Sequence, residues 1–148
     1  MNGIRISLDT NVILNVINKE EPFFDSSRQL LDKISDGELE GVISTVVLSE
    51  FLTGFYMNND IKSSKIFKES LIESRTFIIM PVDTEIADLA AKIRSKDKIK
   101  LPDAIILATA ILSKSTYLVS SDGDIIYRTD YGINIVDSNE LMKIINNG

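Results

Sequence analysis

The chain of 148 residues is 44% apolar and 26% charged, which fits a single soluble domain over residues 1–148 with room for a hydrophobic core. It contains no Cys and no His, so disulfides, thiolate zinc sites and catalysis by Cys or His are excluded. The net charge of −6 is unlike the basic balance of most nucleic-acid-binding proteins. Any chemistry must therefore rest on carboxylates, amines, Tyr and hydroxyls, and carboxylates favour a hard cation as partner.

The start of the chain shows no basic segment followed by a long apolar stretch, so we expect no signal peptide. The longest weakly interrupted apolar run, from Ala104 to Leu112, is too short to span a bilayer. Together with the absence of Cys, these features favour a cytoplasmic protein that is not inserted in a membrane.

The first half of the chain begins with a strand and continues with helices. Ile4, Ile6 and Leu8 alternate, and the spacing changes to that of a helix at Asp9-Thr-Asn. The next predicted elements are a helix started by Pro22 and closed by Gly37, a strand at Gly41-Val-Ile, a helix capped by Ser44 or Thr45, and an exposed helix from about Asp60 to Ser74.

The second half repeats this alternation. Its predicted elements are a strand from Thr76 to Met80, a helix capped by Asp83 or Thr84, a helix with Pro102 near its start, strands at Tyr117-Leu-Val and Ile133-Asn-Ile-Val, and a last helix in which Asp137 and Glu140 have capping-box spacing. The helix with Pro102 is apolar on every side from Ala104 to Leu112, which is typical of a buried central helix. The alternation predicts an α/β fold with a mostly parallel central sheet flanked by helices.

Four acidic residues fall where one edge of this sheet brings them together. Asp9 follows the first strand, and Asp122 follows Tyr117-Leu-Val. Asp103 opens the buried helix, and Glu50 lies in the helix after the second strand. Ligands bind beyond the carboxyl ends of the strands in an open α/β sheet. Because clustered carboxylates repel one another, the arrangement predicts a bound divalent cation such as Mg²⁺, which prefers oxygen ligands.

Each acid taken alone also has a purely structural interpretation. Asp9 is a good helix cap, and Asp103 is favoured by the dipole of the helix that it opens. Glu50 is typical of a solvated helix residue, and Asp122 belongs to a Ser-Asp-Gly-Asp stretch with ordinary turn composition. The order of the acids and their shared sheet edge, rather than any single position, favour a functional cluster.

Four segments of the chain resemble the signature segments of a known family. They are Leu8-Asp-Thr-Asn-Val-Ile-Leu, Ser44-Thr-Val-Val-Leu-Ser-Glu, Leu101-Pro-Asp-Ala-Ile-Ile-Leu-Ala-Thr-Ala and Leu118-Val-Ser-Ser-Asp-Gly-Asp. The family is that of PIN-domain ribonucleases, and the resemblance is greatest to the single-domain VapC-type toxins of type II toxin–antitoxin pairs. It covers almost the whole chain, residues 4–137. It implies a PIN-like three-layer fold and an endoribonuclease that hydrolyses RNA phosphodiester bonds with Mg²⁺ or Mn²⁺.

The same resemblance implies the roles of individual residues. It assigns catalysis and metal binding to Asp9, Glu50, Asp103 and Asp122, adds Asp124 as a secondary metal ligand, and gives supporting roles to Thr10, Asn11 and Ser120. Asn11 matches a polar residue that supports the first Asp, and Thr10 is expected to order the turn. Ser120 stands where the family usually has Thr, and Ser121 where it often has Asn. Both departures keep a small polar side chain.

The basic residues offer contacts for the RNA. A run that consists of Lys92, Arg94, Lys96, Lys98 and Lys100 leads directly to Asp103. Phosphate contacts usually dominate the affinity for nucleic acids, so Lys98 and Lys100 are predicted to bind RNA. A second group, Lys62, Lys65 and Lys68, fits a solvated helix face at least equally well.

The resemblance also implies protein partners. They are a cognate antitoxin and a second copy of the chain, in a homodimer or a higher assembly. Phe51 and Phe55 are expected in the core, whereas Tyr56 and Met57 are the better candidates for an interface, where aromatic and Met residues are enriched.

Two other functions stay open at this point. One is a degenerate PIN fold that acts as a scaffold or binding module without catalysis, although a degenerate member would be expected to lose some of the four acids. The other is a different Mg²⁺-dependent phosphate hydrolase. A haloacid-dehalogenase phosphatase requires Asp-x-Asp-x-Thr after the first strand, and Asp9-Thr-Asn-Val-Ile lacks the second Asp and the Thr.

Overall fold

The computed structural model describes residues 3–125 and 131–148. Within these residues, five parallel strands form one sheet in the order β3-β2-β1-β4-β5. The strands are β1 (Arg5–Leu8), β2 (Glu40–Ser44), β3 (Phe77–Met80), β4 (Tyr117–Val119) and β5 (Asn134–Val136). The predicted α/β fold with a parallel central sheet is therefore confirmed, and the order of the strands reverses between β1 and β4.

Helices connect the strands and cover the sheet. They are α1 (Thr10–Ile17), α2 (Phe24–Ser35), α3 (Thr45–Met57), α4 (Ile61–Glu73), α5 (Thr84–Asp97), α6 (Leu101–Leu112) and α7 (Ser138–Asn147). The central strand β1 is buried along Ile6, Ser7 and Leu8, as expected for a parallel strand that is covered on both faces. Among the described residues, no helix combines the length and the apolar composition that a membrane span needs.

The predicted caps are found at several helix starts. The side chains of Ser44, Asp60, Asp83 and Asp137 accept hydrogen bonds from backbone N–H groups in the first turn of α3, α4, α5 and α7, over 2.8 to 3.1 Å. Thr45 and Thr84, the alternative caps, are the first residues inside their helices. These contacts satisfy N–H groups that have no partner within the helix.

The start of α2 differs from the sequence prediction. The sequence predicts that Pro22 opens the helix, but α2 begins at Phe24. The reason is that the first helical hydrogen bond runs from the Ser27 N–H to the Phe23 carbonyl over 2.9 Å, which makes Phe23 the capping residue. Gly37 does follow the helix, with a φ of +82° that favours glycine.

The buried central helix is α6. Its middle consists of buried residues from Ala104 to Ala110 with Ile105 partly covered, and the hydroxyl of Thr109 donates to the Ile105 carbonyl over 2.7 Å. Its exposed residues are at the two ends: Leu101 and Pro102 at the start, and Leu112 at the finish. The helix packs against α5, α3 and the strands β1, β2 and β4.

Candidate metal centre

The site lies at the point where the strand order reverses. Leu8 of β1 is paired with Val119 of β4, and the backbone N–H of Asp9 donates to the Val119 carbonyl over 3.0 Å. The chain beyond β4 reaches Asp122 three residues later. Because this reversal opens a crevice beyond the carboxyl ends of β1 and β4, both acids stand where open α/β sheets bind their ligands.

Three carboxylates meet in this crevice. One oxygen each of Asp9, Asp103 and Asp122 lies within 4.8 Å of the other two. Asp9 is buried, whereas Asp103 and Asp122 are half-buried. The three side chains come from the end of β1, the first turn of α6 and the loop after β4, so the fold rather than local sequence brings them together.

Asp9 is held by hydrogen bonds to both of its carboxylate oxygens. Its Oδ1 accepts from the backbone N–H of Thr10 over 2.7 Å, and its Oδ2 accepts from the Ser120 hydroxyl over 2.7 Å. Burial raises the pKa of Asp9, and the negative charges of Asp122 and Glu50 add to this, although the two hydrogen bonds work in the opposite direction. The carboxylate is therefore rigid, and its charge is poorly offset by solvent.

Asp103 has the most perturbed carboxyl group of the site. Burial, the charges of Asp122 and Asp9, a hydrogen bond with Asp122 and the charge of Glu50 together raise the pKa of Asp103 to about 7. At neutral pH the group thus exchanges a proton readily. A cation held by these carboxylates would require Asp103 to be deprotonated, because metal ligands must be deprotonated.

Glu50 stands at the rim of the site. It is an exposed residue of α3, and its Oε1 accepts a hydrogen bond from the Thr10 hydroxyl over 2.8 Å. It is not part of the close group of three, but its charge contributes to the raised pKa values of Asp9 and Asp103. The four acids predicted from the sequence therefore form a compact group of three with a fourth beside it.

The loop after β4 is fastened by side chains from the site itself. Ser120 is fully buried, and its Oγ accepts from the Asp122 N–H over 3.0 Å while it donates to Asp9. The Asn11 side-chain oxygen accepts from the Ser121 N–H over 3.4 Å, so Asn11 braces this loop. Asp124 is exposed and outside the group of three, and its backbone N–H donates to Oδ1 of Asp122 over 2.9 Å.

The basic residues that precede Asp103 in the chain have different surroundings in the structure. Lys92 pairs with Asp88 over 3.0 Å, and the Arg94 guanidinium donates to the Ile99 carbonyl over 3.0 Å, which fixes the connection between α5 and α6. Lys98 and Lys100 are exposed in that connection. A groove of about 540 Å³ is lined by Ala91, Arg94, Ser95, Lys98 and Leu101. Basic side chains therefore border the approach to the helix that carries Asp103.

The residues near the end of α3 divide as the sequence predicts. Phe51 is buried and Phe55 half-buried, and their rings lie 5.0 and 5.8 Å from the ring of Phe67 on α4. Tyr56 is 51% exposed and Met57 79% exposed. The two phenylalanines hold α3 to α4, which leaves Tyr56 and Met57 as surface residues.

One contact of the site goes beyond what the sequence predicts. The expectation for Thr10 is that it orders its turn, and the structure shows its hydroxyl on the carboxylate of Glu50. The two residues are 40 positions apart, and their contact depends on how α1 and α3 lie against each other. The sequence signal is limited to a hydroxyl residue next to the first acid.

Comparisons with known proteins identify the fold. A family model described as PIN domain matches residues 6–131. An uncharacterized protein of Archaeoglobus fulgidus is 40% identical over 62 residues, which are 42% of this chain and 93% of that protein.

Solved structures with the same fold come from bacterial toxin–antitoxin systems. A toxin–antitoxin complex from Klebsiella pneumoniae superposes with a TM-score of 0.69 at 23% identity, over 90% of this chain and 97% of that one. VapBC2 from Rickettsia felis, bound to a DNA fragment from its promoter, gives 0.67 at 19% identity, over 90% and 98%. The sarcin-ricin loop cleaving toxin VapC20 of Mycobacterium tuberculosis gives 0.62 at 17% identity, over 80% and 91%.

Proposed function

The chain belongs to the PIN domain family, and on that premise we propose that it is a divalent-metal-dependent endoribonuclease, the toxin of a toxin–antitoxin pair. The observation that carries this proposal is the group formed by Asp9, Asp103 and Asp122 in the crevice between β1 and β4. Three ionised carboxylates at this separation repel one another, and either a proton on Asp103 or a bound cation relieves that repulsion. The proposal therefore explains an arrangement that is otherwise destabilising.

The donor set fits Mg²⁺ or Mn²⁺. All of the side-chain ligands are carboxylate oxygens, which hard divalent cations prefer, and the chain has no His or Cys for a softer metal. Asp9, Asp103 and Asp122 would hold the ion, and Glu50 and Asp124 would serve from the rim. When bound, such an ion lowers the pKa of water and offsets the charge that develops on a phosphodiester.

The protein's own residues divide the remaining tasks. The hydrogen bonds from Thr10 and Ser120 keep the Asp9 carboxylate in one orientation. Asp103 would hold the ion as a carboxylate, so the proton that its pKa of about 7 allows in the metal-free protein would have to leave before the ion binds. Because the chain contains no His, a carboxylate is the side chain best suited to accept a proton in this site. Lys98 and Lys100, exposed in the connection that leads to Asp103, would bind phosphates of the RNA.

The protein partners in this proposal are a cognate antitoxin and a second copy of the chain. The support comes from the solved complexes of the same fold, which include toxin–antitoxin assemblies. On this chain, Tyr56 and Met57 are large exposed side chains of the kind that is enriched in protein interfaces. We assign them to the contact between two copies.

The decisive experiment combines RNA cleavage with Mn²⁺ binding in the Asp103→Asn variant. The substitution removes one carboxylate from the group of three, so cleavage should fall to background and the affinity for Mn²⁺ should drop, while the circular dichroism spectrum stays that of the folded protein. Asp36→Asn is the matched control, because Asp36 is an exposed aspartate at the opposite end of the sheet, before β2.

Two outcomes would overturn the proposal. One is an Asp103→Asn variant that cleaves RNA at the rate of the unmodified protein. The other is cleavage that continues unchanged in EDTA. If Mn²⁺ fails to bind and no RNA is cut, the scaffold function without catalysis replaces the nuclease. Activity on a generic phosphomonoester but not on RNA would instead indicate another phosphate hydrolase.

A further inference from the structure

Thr10 touches two acids of the site at once. Its backbone N–H donates to Oδ1 of Asp9 over 2.7 Å, and its hydroxyl donates to Oε1 of Glu50 over 2.8 Å. Asp9 precedes Thr10 in the chain, whereas Glu50 belongs to a different helix. Thr10 therefore links the buried carboxylate at the end of β1 to an exposed carboxylate on α3.

The two partners in this hydrogen bond differ in mobility. Glu50 is exposed, and a Glu side chain in solvent has several accessible rotamers unless a contact fixes it. Thr10 is buried in the first turn of α1, and its β-branched side chain has a strongly restricted χ1 angle. A fixed donor thus holds a mobile acceptor, and the bond to a charged oxygen is stronger than one between neutral groups.

The held position of Glu50 is relevant to the other acids. Thr10, which bonds Oε1 of Glu50, also bonds Oδ1 of Asp9, so the Glu50 carboxylate is joined to the group of three through a single residue. The negative charge of Glu50 is also among the causes that raise the pKa values of Asp9 and Asp103. The hydroxyl of Thr10 engages Oε1, one of two carboxylate oxygens. A Glu held in this way approaches the group of three with one oxygen already oriented.

We propose that Thr10 is a positioning residue, whose hydroxyl holds Glu50 against the Asp9, Asp103 and Asp122 group so that Glu50 contributes to cation binding. This inference rests on the proposed metal-dependent function and adds to it how the fourth acid joins the site. It differs from an ordering role in the turn, because that role requires only the backbone of Thr10, whereas positioning requires the hydroxyl.

The test is a double-mutant cycle on Mn²⁺ affinity, measured by electron paramagnetic resonance of free Mn²⁺. Thr10→Val keeps the shape of the side chain and removes the hydroxyl, and it should weaken Mn²⁺ binding about tenfold, the value expected for one hydrogen bond to a charged group. Thr10→Ser restores the hydroxyl and should regain most of the affinity. Thr53→Val is the control on α3, since the Thr53 hydroxyl bonds only the Ser49 carbonyl among the contacts that the structure records for it.

The second arm of the cycle identifies Glu50 as the route. If Thr10 acts through Glu50, Thr10→Val should weaken Mn²⁺ binding little further in a Glu50→Gln background. The inference is overturned if the two substitutions have additive effects on Mn²⁺ affinity. It is also overturned if Glu50→Gln weakens Mn²⁺ binding but Thr10→Val leaves it unchanged. Asp103→Asn is measured in parallel, and only its failure to weaken Mn²⁺ binding would count against the proposed metal centre itself.

Discussion

The two edges of the sheet carry their charges differently. At the amino-terminal edge, Arg5 pairs with Glu40 over 2.5 Å, and Lys33 pairs with Glu38 over 3.0 Å. At the carboxyl-terminal edge, three aspartates converge, and within residues 3–125 and 131–148 no Lys or Arg forms an ion pair with Asp9, Asp103 or Asp122.

The difference separates charges that are paired within the chain from charges that repel one another. The paired charges at the amino-terminal edge are balanced within the chain and need nothing from outside. The aspartates at the carboxyl-terminal edge repel one another, and burial adds to this cost. If a cation binds between these aspartates as proposed, it should therefore stabilise the folded chain.

Adding Mn²⁺ is expected to have the largest effect on this contrast. At a concentration one hundred times its Kd, a ligand stabilises the folded state by about 2.7 kcal/mol, which corresponds to a rise in Tm of about 5–10 °C for a domain of this size. Asp9→Asn should abolish the rise, whereas Glu40→Gln at the other edge should keep it. Differential scanning calorimetry with and without Mn²⁺ measures both, and an equal rise in the two variants would contradict the contrast.

Stability without the metal should depend on pH through the carboxyl-terminal edge. The folded-state pKa of Asp103 is raised from 3.8 to about 7, so the folded protein holds this proton more tightly than the unfolded chain does. This contribution to stability is fully present below pH 3.8 and is lost as the pH rises through about 7. The raised pKa of Asp9 acts in the same direction.

Urea denaturation in EDTA measures the free energy of unfolding of the unmodified protein and of Asp103→Asn. The value for the unmodified protein minus the value for the variant should fall between pH 4 and pH 8. Glu40→Gln should leave this pH dependence in place. The opposite result is a free energy of unfolding that rises toward pH 8 in the unmodified protein relative to Asp103→Asn. It would show that repulsion among the aspartates is absent.

The exposed lysines beside the site should affect RNA binding moderately. Replacing Lys98 and Lys100 with Gln should weaken binding and reduce the slope of log K against log salt by about 0.7 for each RNA phosphate that is no longer neutralised. Lys33→Gln is the matched control at the amino-terminal edge, where the lysine already pairs with Glu38. Fluorescence anisotropy over a range of salt concentrations gives the slopes, and identical slopes would remove Lys98 and Lys100 from the interface.

The smallest effect is expected for the pair of Arg5 and Glu40. Both side chains are more than one third exposed, and exposed pairs contribute about 0–1 kcal/mol to stability. Glu40→Gln should therefore lower the free energy of unfolding by less than about 1 kcal/mol and leave RNA cleavage unchanged. A loss of cleavage in this variant would show that the two edges of the sheet are coupled.

The sequence predicts the parts of the site that depend on local pattern. Asp9 follows an alternating strand, and Asp103 opens an apolar helix, so the sheet edge that they share can be inferred without coordinates. The shift of the α2 start from Pro22 to Phe24 is not predictable in this way, because the hydrogen bond that defines it depends on the backbone of a turn.

Contacts between residues far apart in the chain limit what the sequence can predict about the site. The sequence groups Glu50 with the other acids, but it does not indicate that Glu50 stands at the rim and that Thr10 holds it there. Such a contact depends on the packing of α1 and α3, which hydrophobic periodicity does not specify. The resemblance to PIN-domain ribonucleases names the candidate residues, and the structure shows which of them form hydrogen bonds with one another.

The buried hydroxyl of Ser120 has a consequence for where protons reside in this centre. Its oxygen accepts from the Asp122 N–H, which turns its own hydrogen toward Oδ2 of Asp9. With the Thr10 N–H on Oδ1, both oxygens of Asp9 receive hydrogens from fixed donors, and a proton on Asp9 would break one of these bonds. These two fixed donors therefore favour the ionised form of Asp9 and oppose burial, which raises the pKa of this carboxyl group.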